Sequence, residues 1–408
     1  MGAGARSLRD HIDRVYFSQV SNRSRAFHDA LRRFPAALFQ FDPRMADGWY
    51  ADRYFVRTRN TLAFAGRDPV VTMQVFAKEH GIVAGVYEVV HMLETQLAPG
   101  YSIDALTIDT LMDGDPLHPW ESVMHLTGPY LAFAHLETDY LGVLARRSLV
   151  ASNVRRTIDA AAGKPVIFMA ARHDDWRVQT PDGYAAQVGG AGSVSSDAGG
   201  AWWGAQGVGT MPHSLIATYH GDVVAATVAF TEYCQAREPG VAIVSLVDYR
   251  NDVITDALAV AHAMRDRFGP GVLAGVRVDT SERLTDRSLA GRDAEFPGEP
   301  LTGVNAPLIR SLRAALDAAG FPDVGITASG GFTPARIRAF ESAGVPVSTY
   351  GVGSSLLGHT HDPDDGLISS CDYTADIIAV DGHPEHKAGR PPRPNPSFIR
   401  YAPRPPAP

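Results

Sequence analysis

Residues 325–334 read Gly325-Ile-Thr-Ala-Ser-Gly-Gly-Phe-Thr-Pro334, and here residue type and spacing first suggest chemistry. An apolar run delivers Ser329, Gly330 and Gly331, then Thr333 and Pro334 ahead of a helical pattern. Thr333 suits a helix N-cap and Pro334 the first helical position. Paired glycines let backbone amides approach an anion, and a helix N-terminus favours negative charge. A second run, Val347-Ser-Thr-Tyr-Gly-Val-Gly-Ser354, ends the same way. Two such strand ends make a phosphate cradle in many (β/α) barrels, although two ordinary βα turns would share the pattern. Gly207-Val-Gly-Thr-Met-Pro-His213-Ser-Leu-Ile216 joins a glycine turn, a hydroxyl and a histidine, with a packed structural histidine as the plainer alternative. Gly189, Gly190, Gly192 and Ser193 supply another glycine-rich approach to a ligand.

The elements that must position these residues follow from periodicity. From about residue 151 the chain alternates apolar strands with amphipathic helices. Pro165-Val-Ile-Phe-Met-Ala170 leads to Arg172 and His173, 241–247 to Asp248, and 272–278 to Asp279-Thr280-Ser281. The Ser329 strand and the Tyr350 strand complete the set. Asp252 and Asn305 are candidate caps for helices over 253–268 and 306–319; Gly163, Gly320 and Gly344 are helix stops. Continuous apolar strands separated by helices mean parallel strands buried on both faces. Five such units in a row favour an α/β fold with a (β/α) barrel. In a barrel, polar residues just past each strand line the C-terminal rim, where active sites are built. That rim gathers Arg172, His173, Asp248, Asp279, Ser329 and the glycines Gly351 and Gly353. Arginines, amides and carboxylates at one mouth suit a ligand with several phosphates, bridged by Mg²⁺. Asp248 and Asp279 also read as plain strand-end residues, and Arg172 as a surface partner of Asp174 or Asp175.

The N-terminal part reads differently. Residues 1–7 look frayed and 8–34 helical. Residues 52–58 read as a short strand or a helix entry, 70–77 as a strand, and 81–97 and 128–149 as helices. The expected domains are an N-terminal α/β domain over 1–150, a barrel over 151–355 and a tail over 356–408. The tail, rich in Asp, Gly and Pro, reads as extended and peripheral.

Composition narrows the function class. The 408 residues are 45% apolar and 20% charged, as in ordinary globular proteins. A net charge of −8 argues against nucleic acid or an anionic membrane as main partner. Cys234 and Cys371 have no paired spacing, which fits a reducing cytoplasm. No stretch reaches transmembrane length. A Schiff-base aldolase needs a lysine past a barrel strand, but Lys164 precedes its strand and Lys78 and Lys387 lie outside the barrel.

Taken in order, several blocks resemble nicotinate phosphoribosyltransferase, in its shorter archaeal and bacterial form. They are Asp52-Arg-Tyr-Phe-Val-Arg-Thr58, Glu137-Thr138 with Leu141, Phe168-Met-Ala-Ala-Arg172-His173, Gly209-Thr-Met-Pro-His213-Ser214, Gly275-Val-Arg-Val-Asp279-Thr-Ser281, Ser329-Gly-Gly331 and Tyr350-Gly-Val-Gly353. The resemblance runs from about residue 45 to about 393. The Gly-Thr-Met-Pro-His-Ser and Gly-Val-Arg-Val-Asp blocks are the specific ones.

The resemblance implies a type II phosphoribosyltransferase fold: an irregular barrel, and an N-terminal α/β domain joined by the tail. It implies transfer of ribose 5-phosphate from phosphoribosyl pyrophosphate to nicotinate, coupled to ATP, in NAD salvage. Ser329, Gly330, Gly331, Gly351 and Gly353 match the 5′-phosphate site. Arg172 and His173 match a basic wall facing pyrophosphate and the nicotinate carboxylate. Asp279, and Asp248 beside it, match acidic residues near ribose and Mg²⁺. His213 matches the histidine that accepts phosphate from ATP. Arg277, Thr210 and Ser214, with Tyr54, Phe55 and Arg57, fall in the substrate-contacting blocks, the last three in a segment that reaches a neighbouring subunit. A homodimer or higher oligomer with shared sites is the expectation. A cysteine-rich metal knuckle found in some relatives is ruled out by Cys371 standing alone in the tail. Quinolinate or nicotinamide as the ring substrate, and a catalytically silent nucleotide-binding paralogue, are the alternatives.

Overall fold

The computed structural model describes residues 22–359 and 363–403. The frayed start expected at 1–7, and most of 8–34, lie outside the described residues; 22–33 are helical. In chain order the strands are β1 (Val70–Ala77), β2 (Gly81–Ile82), β3 (Thr107–Thr110), β4 (Pro116–Leu117), β5 (Ser122–Pro129), β6 (Val166–Phe168), β7 (Ser193–Val194), β8 (Ile243–Leu246), β9 (Leu273–Val278), β10 (Gly325–Ala328), β11 (Thr349–Val352), β12 (Tyr373–Val380), β13 (His383–Pro384) and β14 (Ile399–Arg400). The chain divides into two compact units, Met1–Ser152 with Ser370–Pro408, and Asn153–Ser369. The division falls inside one helix, Glu137–Ala160, where the sequence pattern reads as two, over 128–149 and 151–162.

The first unit is built on an antiparallel sheet ordered β13-β12-β1-β5-β3-β14. Val71, Met73 and Val75, alternate residues on one face of β1, are buried. The helix Val86–Thr95 is buried almost throughout. Its Glu88 forms a buried fork with Arg147, at 3.0 and 3.1 Å, so each charge keeps a partner out of water. Residues 52–58 enter the helix Arg53–Phe64.

The tail corrects the expectation of a peripheral segment. Tyr373–Val380 pairs with β1 along its length, and Ile399–Arg400 pairs with β3. Between them the chain is held by a buried side chain: Gln74 donates to the Pro391 carbonyl at 3.2 Å and accepts from the Arg393 amide at 3.1 Å. Proline-rich backbone has few donors of its own, so Gln74 supplies what a ladder would.

The second unit carries a parallel sheet ordered β7-β6-β11-β10-β9-β8. Except for β7 and β8, each strand lies beside its sequence neighbour, and the last, β11, lies beside the first, β6. This is the strand order of a six-stranded barrel opened along one seam, between β7 and β8. The expected α/β barrel architecture is therefore present, and β7 is a strand the periodicity missed. Asn305 caps its helix Ala306–Ala318 through the Leu308 amide at 2.9 Å. Asp252 does not cap the helix Val253–Phe268. The fully buried Asp286 accepts from the Val253 amide instead, at 3.0 Å.

Candidate functional site

Strands β6, β8, β9, β10 and β11 all end on the same rim, and four of their extensions line one cavity of about 260 Å³. The cradle at the end of β10 is the most constrained part. The Ser329 amide donates to the Val278 carbonyl at 3.0 Å, and its hydroxyl donates to Asp279 Oδ1 at 3.0 Å. Gly330 and Gly331 follow at φ +93° and +66°, where a side chain costs backbone strain. Thr333 caps the helix Pro334–Ser342 with proline at its start. Arg336 then reaches back, donating to the Gly330 and Gly331 carbonyls at 2.8 and 3.1 Å. A planar peptide that aims its oxygen one way aims the next N–H the other. The Gly331 and Phe332 amides therefore face away from Arg336, the arrangement an anion needs.

The other glycines are set by close neighbours. A Cβ on Gly351 would lie 2.7 Å from Met169 Sδ, and one on Gly353 would lie 2.7 Å from His173 Nε2. Both glycines thus let the β6 extension close against the cradle. That extension is the turn Ala171–His173. Asp175 pairs with Arg177 rather than Arg172, and Arg172 lines the cavity beside His173. Burial, with the charges of Arg172 and His359, holds the His173 pKa below the usual imidazole range.

Arg277, on β9, is mostly buried, and its Nε has no acceptor. Burial lowers its pKa, while Asp279 and Asp248 oppose that shift. An unmade hydrogen bond of this kind costs about 1–3 kcal/mol, which an anionic ligand in the cavity would offset.

His213 opens the short helix His213–Thr218. Its block is anchored by Met211, fully buried, whose sulfur takes hydrogen bonds from Thr227 and from Ser245 of β8. His213 Nε2 lies 3.2 Å from Asp248 Oδ1, and the two side chains are 46% and 3% exposed. The hydrogen bond to Asp248 raises the His213 pKa; burial opposes it, and the Asp279 charge adds to the rise. One ring nitrogen is thus held by a buried carboxylate, which fixes the orientation of the other.

The cavity therefore brings together Arg172, His173, His213, Arg277, Asp279, Ser329, Gly330, Gly331, Gly351 and Gly353. Asp248 sits behind His213 rather than on the wall. Thr210 bonds its neighbour's carbonyl, and Ser214 is exposed on the His213 helix. Tyr54, Phe55 and Arg57 stand on the helix Arg53–Phe64 of the other unit, with Tyr54 59% exposed and its ring tilted against that of Phe55. Met169, Pro212, Phe332, Ser354 and Ser355 also line the cavity. Ser354 and Ser355 follow directly on the Gly-Val-Gly run, a signal available in the sequence. Among the described residues no group of three His, Cys, Asp or Glu side chains could hold a metal ion alone. A hard cation here would depend on ligand oxygens and a single carboxylate, a mode that suits Mg²⁺ on a polyphosphate.

Comparison with known proteins agrees with this architecture. Residues 52–148 match the family model for the quinolinate phosphoribosyl transferase N-terminal domain. The chain is 28% identical over 284 residues to a nicotinate phosphoribosyltransferase of Mycobacterium tuberculosis, covering 69% of this chain and 55% of that one. The chain spans about half the length of the curated relatives it matches. The structure resembles nicotinate-nucleotide pyrophosphorylase from Pyrococcus furiosus, with TM-score 0.70, 28% identity and 86% and 80% of the two chains covered. It also shares the fold of human nicotinic acid phosphoribosyltransferase, with TM-score 0.59, 18% identity and 83% and 76% covered.

Proposed function

We propose that this chain, a member of the type II phosphoribosyltransferases, transfers ribose 5-phosphate from phosphoribosyl pyrophosphate to nicotinate, forming nicotinate mononucleotide and pyrophosphate. The observation that carries the reading is the cavity at the barrel rim, where a glycine cradle, a paired carboxylate and a buried arginine with an unused donor meet. The amides of Gly331 and Phe332 receive the 5′-phosphate. Asp279, oriented by Ser329, faces the ribose as positive charge develops there. Arg172, His173 and Arg277 receive the pyrophosphate and the ring carboxylate. Such a reaction is accelerated by positioning and electrostatics rather than by a protein nucleophile. Asp279, whose Oδ1 accepts from Ser329, would be the residue to hold Mg²⁺, which would supply charge neutralisation on the pyrophosphate.

His213 with Asp248 supports a second part of the reading: the histidine accepts a phosphoryl group from ATP, coupling hydrolysis to transfer. We also assign the enzyme to the cytoplasm and to a homodimer or higher oligomer with shared sites. Two buried free cysteines support the first. The exposed Trp49, Tyr54 and Phe64 support the second. Among the described residues no helix is long and apolar enough to cross a membrane.

The family-model match favours one second reading, with quinolinate as the ring substrate. Its extra carboxylate would leave as carbon dioxide and yield the same mononucleotide. Incubating the protein with phosphoribosyl pyrophosphate and each of nicotinate, nicotinamide and quinolinate, with and without ATP, separates them. We expect product from nicotinate, stimulated by ATP, and little from nicotinamide, which cannot form a charge-assisted pair. Carbon dioxide release from quinolinate at a comparable rate would overturn the assignment.

A further inference from the structure

The end of β8 presents three consecutive polar side chains, and the site described above uses only Asp248. The next two, Tyr249 and Arg250, are exposed, Tyr249 by 39%. The Tyr249 ring centroid lies 6.5 Å from that of His213, with the planes inclined at 36°. Both residues rest on the turn that closes the His213 helix. There the Gly221 amide donates to the Ile216 carbonyl at 2.9 Å. A Cβ on Gly221 would lie 3.1 Å from Tyr249 Cε1 and 3.3 Å from Arg250 Nη2. The edge of the phenol and the guanidinium therefore converge on one point beside the helix that starts at His213. Gly221, at φ +82°, makes room for them. Among the described residues Arg250 forms no side-chain hydrogen bond and no close ion pair, although its charge reaches Asp256, and β8 borders the open seam of the sheet.

We propose that Tyr249 and Arg250 form the ledge that grips the polyphosphate of a nucleoside triphosphate as it phosphorylates His213. This rests on His213 being the phosphoryl acceptor. The lone pair of the ring nitrogen turned away from Asp248 attacks the terminal phosphorus. A nitrogen–phosphorus bond forms, the bridging phosphorus–oxygen bond breaks, and its electron pair leaves on the nucleoside diphosphate. The Nε2 proton stays in the hydrogen bond to Asp248, whose charge offsets the cation formed on the ring. Negative charge grows on the diphosphate, where a planar guanidinium and a phenolic hydroxyl can hold it.

The test measures phosphohistidine formation against ATP concentration in the full chain. In Arg250→Ala the half-saturating ATP concentration rises about tenfold or more, the usual cost of one lost charge-assisted contact. Arg250→Lys, a point charge without the fork, falls between, and Tyr249→Phe gives a smaller rise. Each side chain is exposed, so the thermal midpoints of the variants verify folding. Equal half-saturation in wild type and Arg250→Ala overturns the proposal. If wild type itself forms no phosphohistidine, calorimetry with a non-hydrolysable ATP analogue decides. Binding that weakens in Arg250→Ala keeps the ledge and retires His213 as acceptor. Binding that is equal or absent in both retires the ledge as well.

Discussion

Gly353→Ala probes how tightly the β6 extension closes on the cradle. The added Cβ would lie 2.7 Å from His173 Nε2 and 3.2 Å from the Met169 carbonyl, where ordinary contact begins at 3.4 Å. The backbone has little room to retreat, because the Met169 amide donates to the Val352 carbonyl at 2.7 Å. The histidine ring, the movable partner, must therefore swing out of the cavity. Overpacking costs about 1–3 kcal/mol, and a ring that can turn puts this case near 1–2. For a unit of about two hundred residues that lowers the thermal midpoint by roughly 2–8 °C. Displacing His173 should also cost about tenfold to a hundredfold in kcat/KM for nicotinate, since small misplacements are costly in preorganised sites. A double-mutant cycle isolates the contact. In a His173→Ala background, Gly353→Ala should change the midpoint by less than about a third of its effect in wild type. Additive midpoints in the double mutant would refute the reasoning, because the strain would then come from Met169 or the backbone and not from His173.

Asp248→Asn removes the main cause of the raised His213 pKa. Phosphohistidine formation needs a neutral ring, so in wild type it fails as pH falls through that raised value; the acid limb should move to lower pH in the variant, and an unmoved limb counts against the pair. Buried Glu137 titrates at about 8 instead of the ordinary 4.5, through burial and then the Asp376 charge. The native state keeps a proton the unfolded chain has lost, so stability falls as pH rises from about 4.5 to about 8. Glu137→Gln should flatten the thermal midpoint between pH 5.5 and 8.5, and parallel curves would show the carboxyl is not the cause. Gln74→Ala leaves two tail backbone groups without partners, a loss of about 1–3 kcal/mol. Limited proteolysis should then cut within residues 385–395 faster than in wild type, and equal rates would mean the strand pairings alone hold the tail.

Much of the second unit is legible in sequence because buried parallel strands are short apolar runs and the residue after each run sits on the rim. Arg172, His173, Asp279 and Ser329 are readable for that reason, and so is the Thr333 cap. What the sequence hides is who meets whom. His213 and Asp248 are separated by 34 residues, and only the fold brings them to 3.2 Å. Asp252 fails as a cap because Asp286, far along the chain, takes the same amide. The helix Glu137–Ala160 reads as two because Ser148 and Ser152 interrupt its apolar stripe. Both are buried, and their hydroxyls serve the Ala84 and Ile82 amides. Strand β12 is obscured by Thr374 and Asp376 among its apolar residues. Met169 and Phe332 shape the cavity with side chains that carry no chemical signature.

The place of β12 between β13 and β1 sets a timetable for synthesis. Val70 leaves the ribosome some three hundred residues ahead of Tyr373, and at about 5–20 residues per second that is a wait of roughly 15–60 s. Until then β1 exposes an apolar strand edge, the kind of template that recruits other chains. The barrel waits as well, because β6 gains its β11 neighbour only near residue 352. Neither unit can finish early, so a ribosome stalled in the last quarter of the message would release an aggregation-prone chain rather than one folded half. Strain or temperature effects on yield should therefore track elongation rate and chaperone supply as much as the stability of the finished protein.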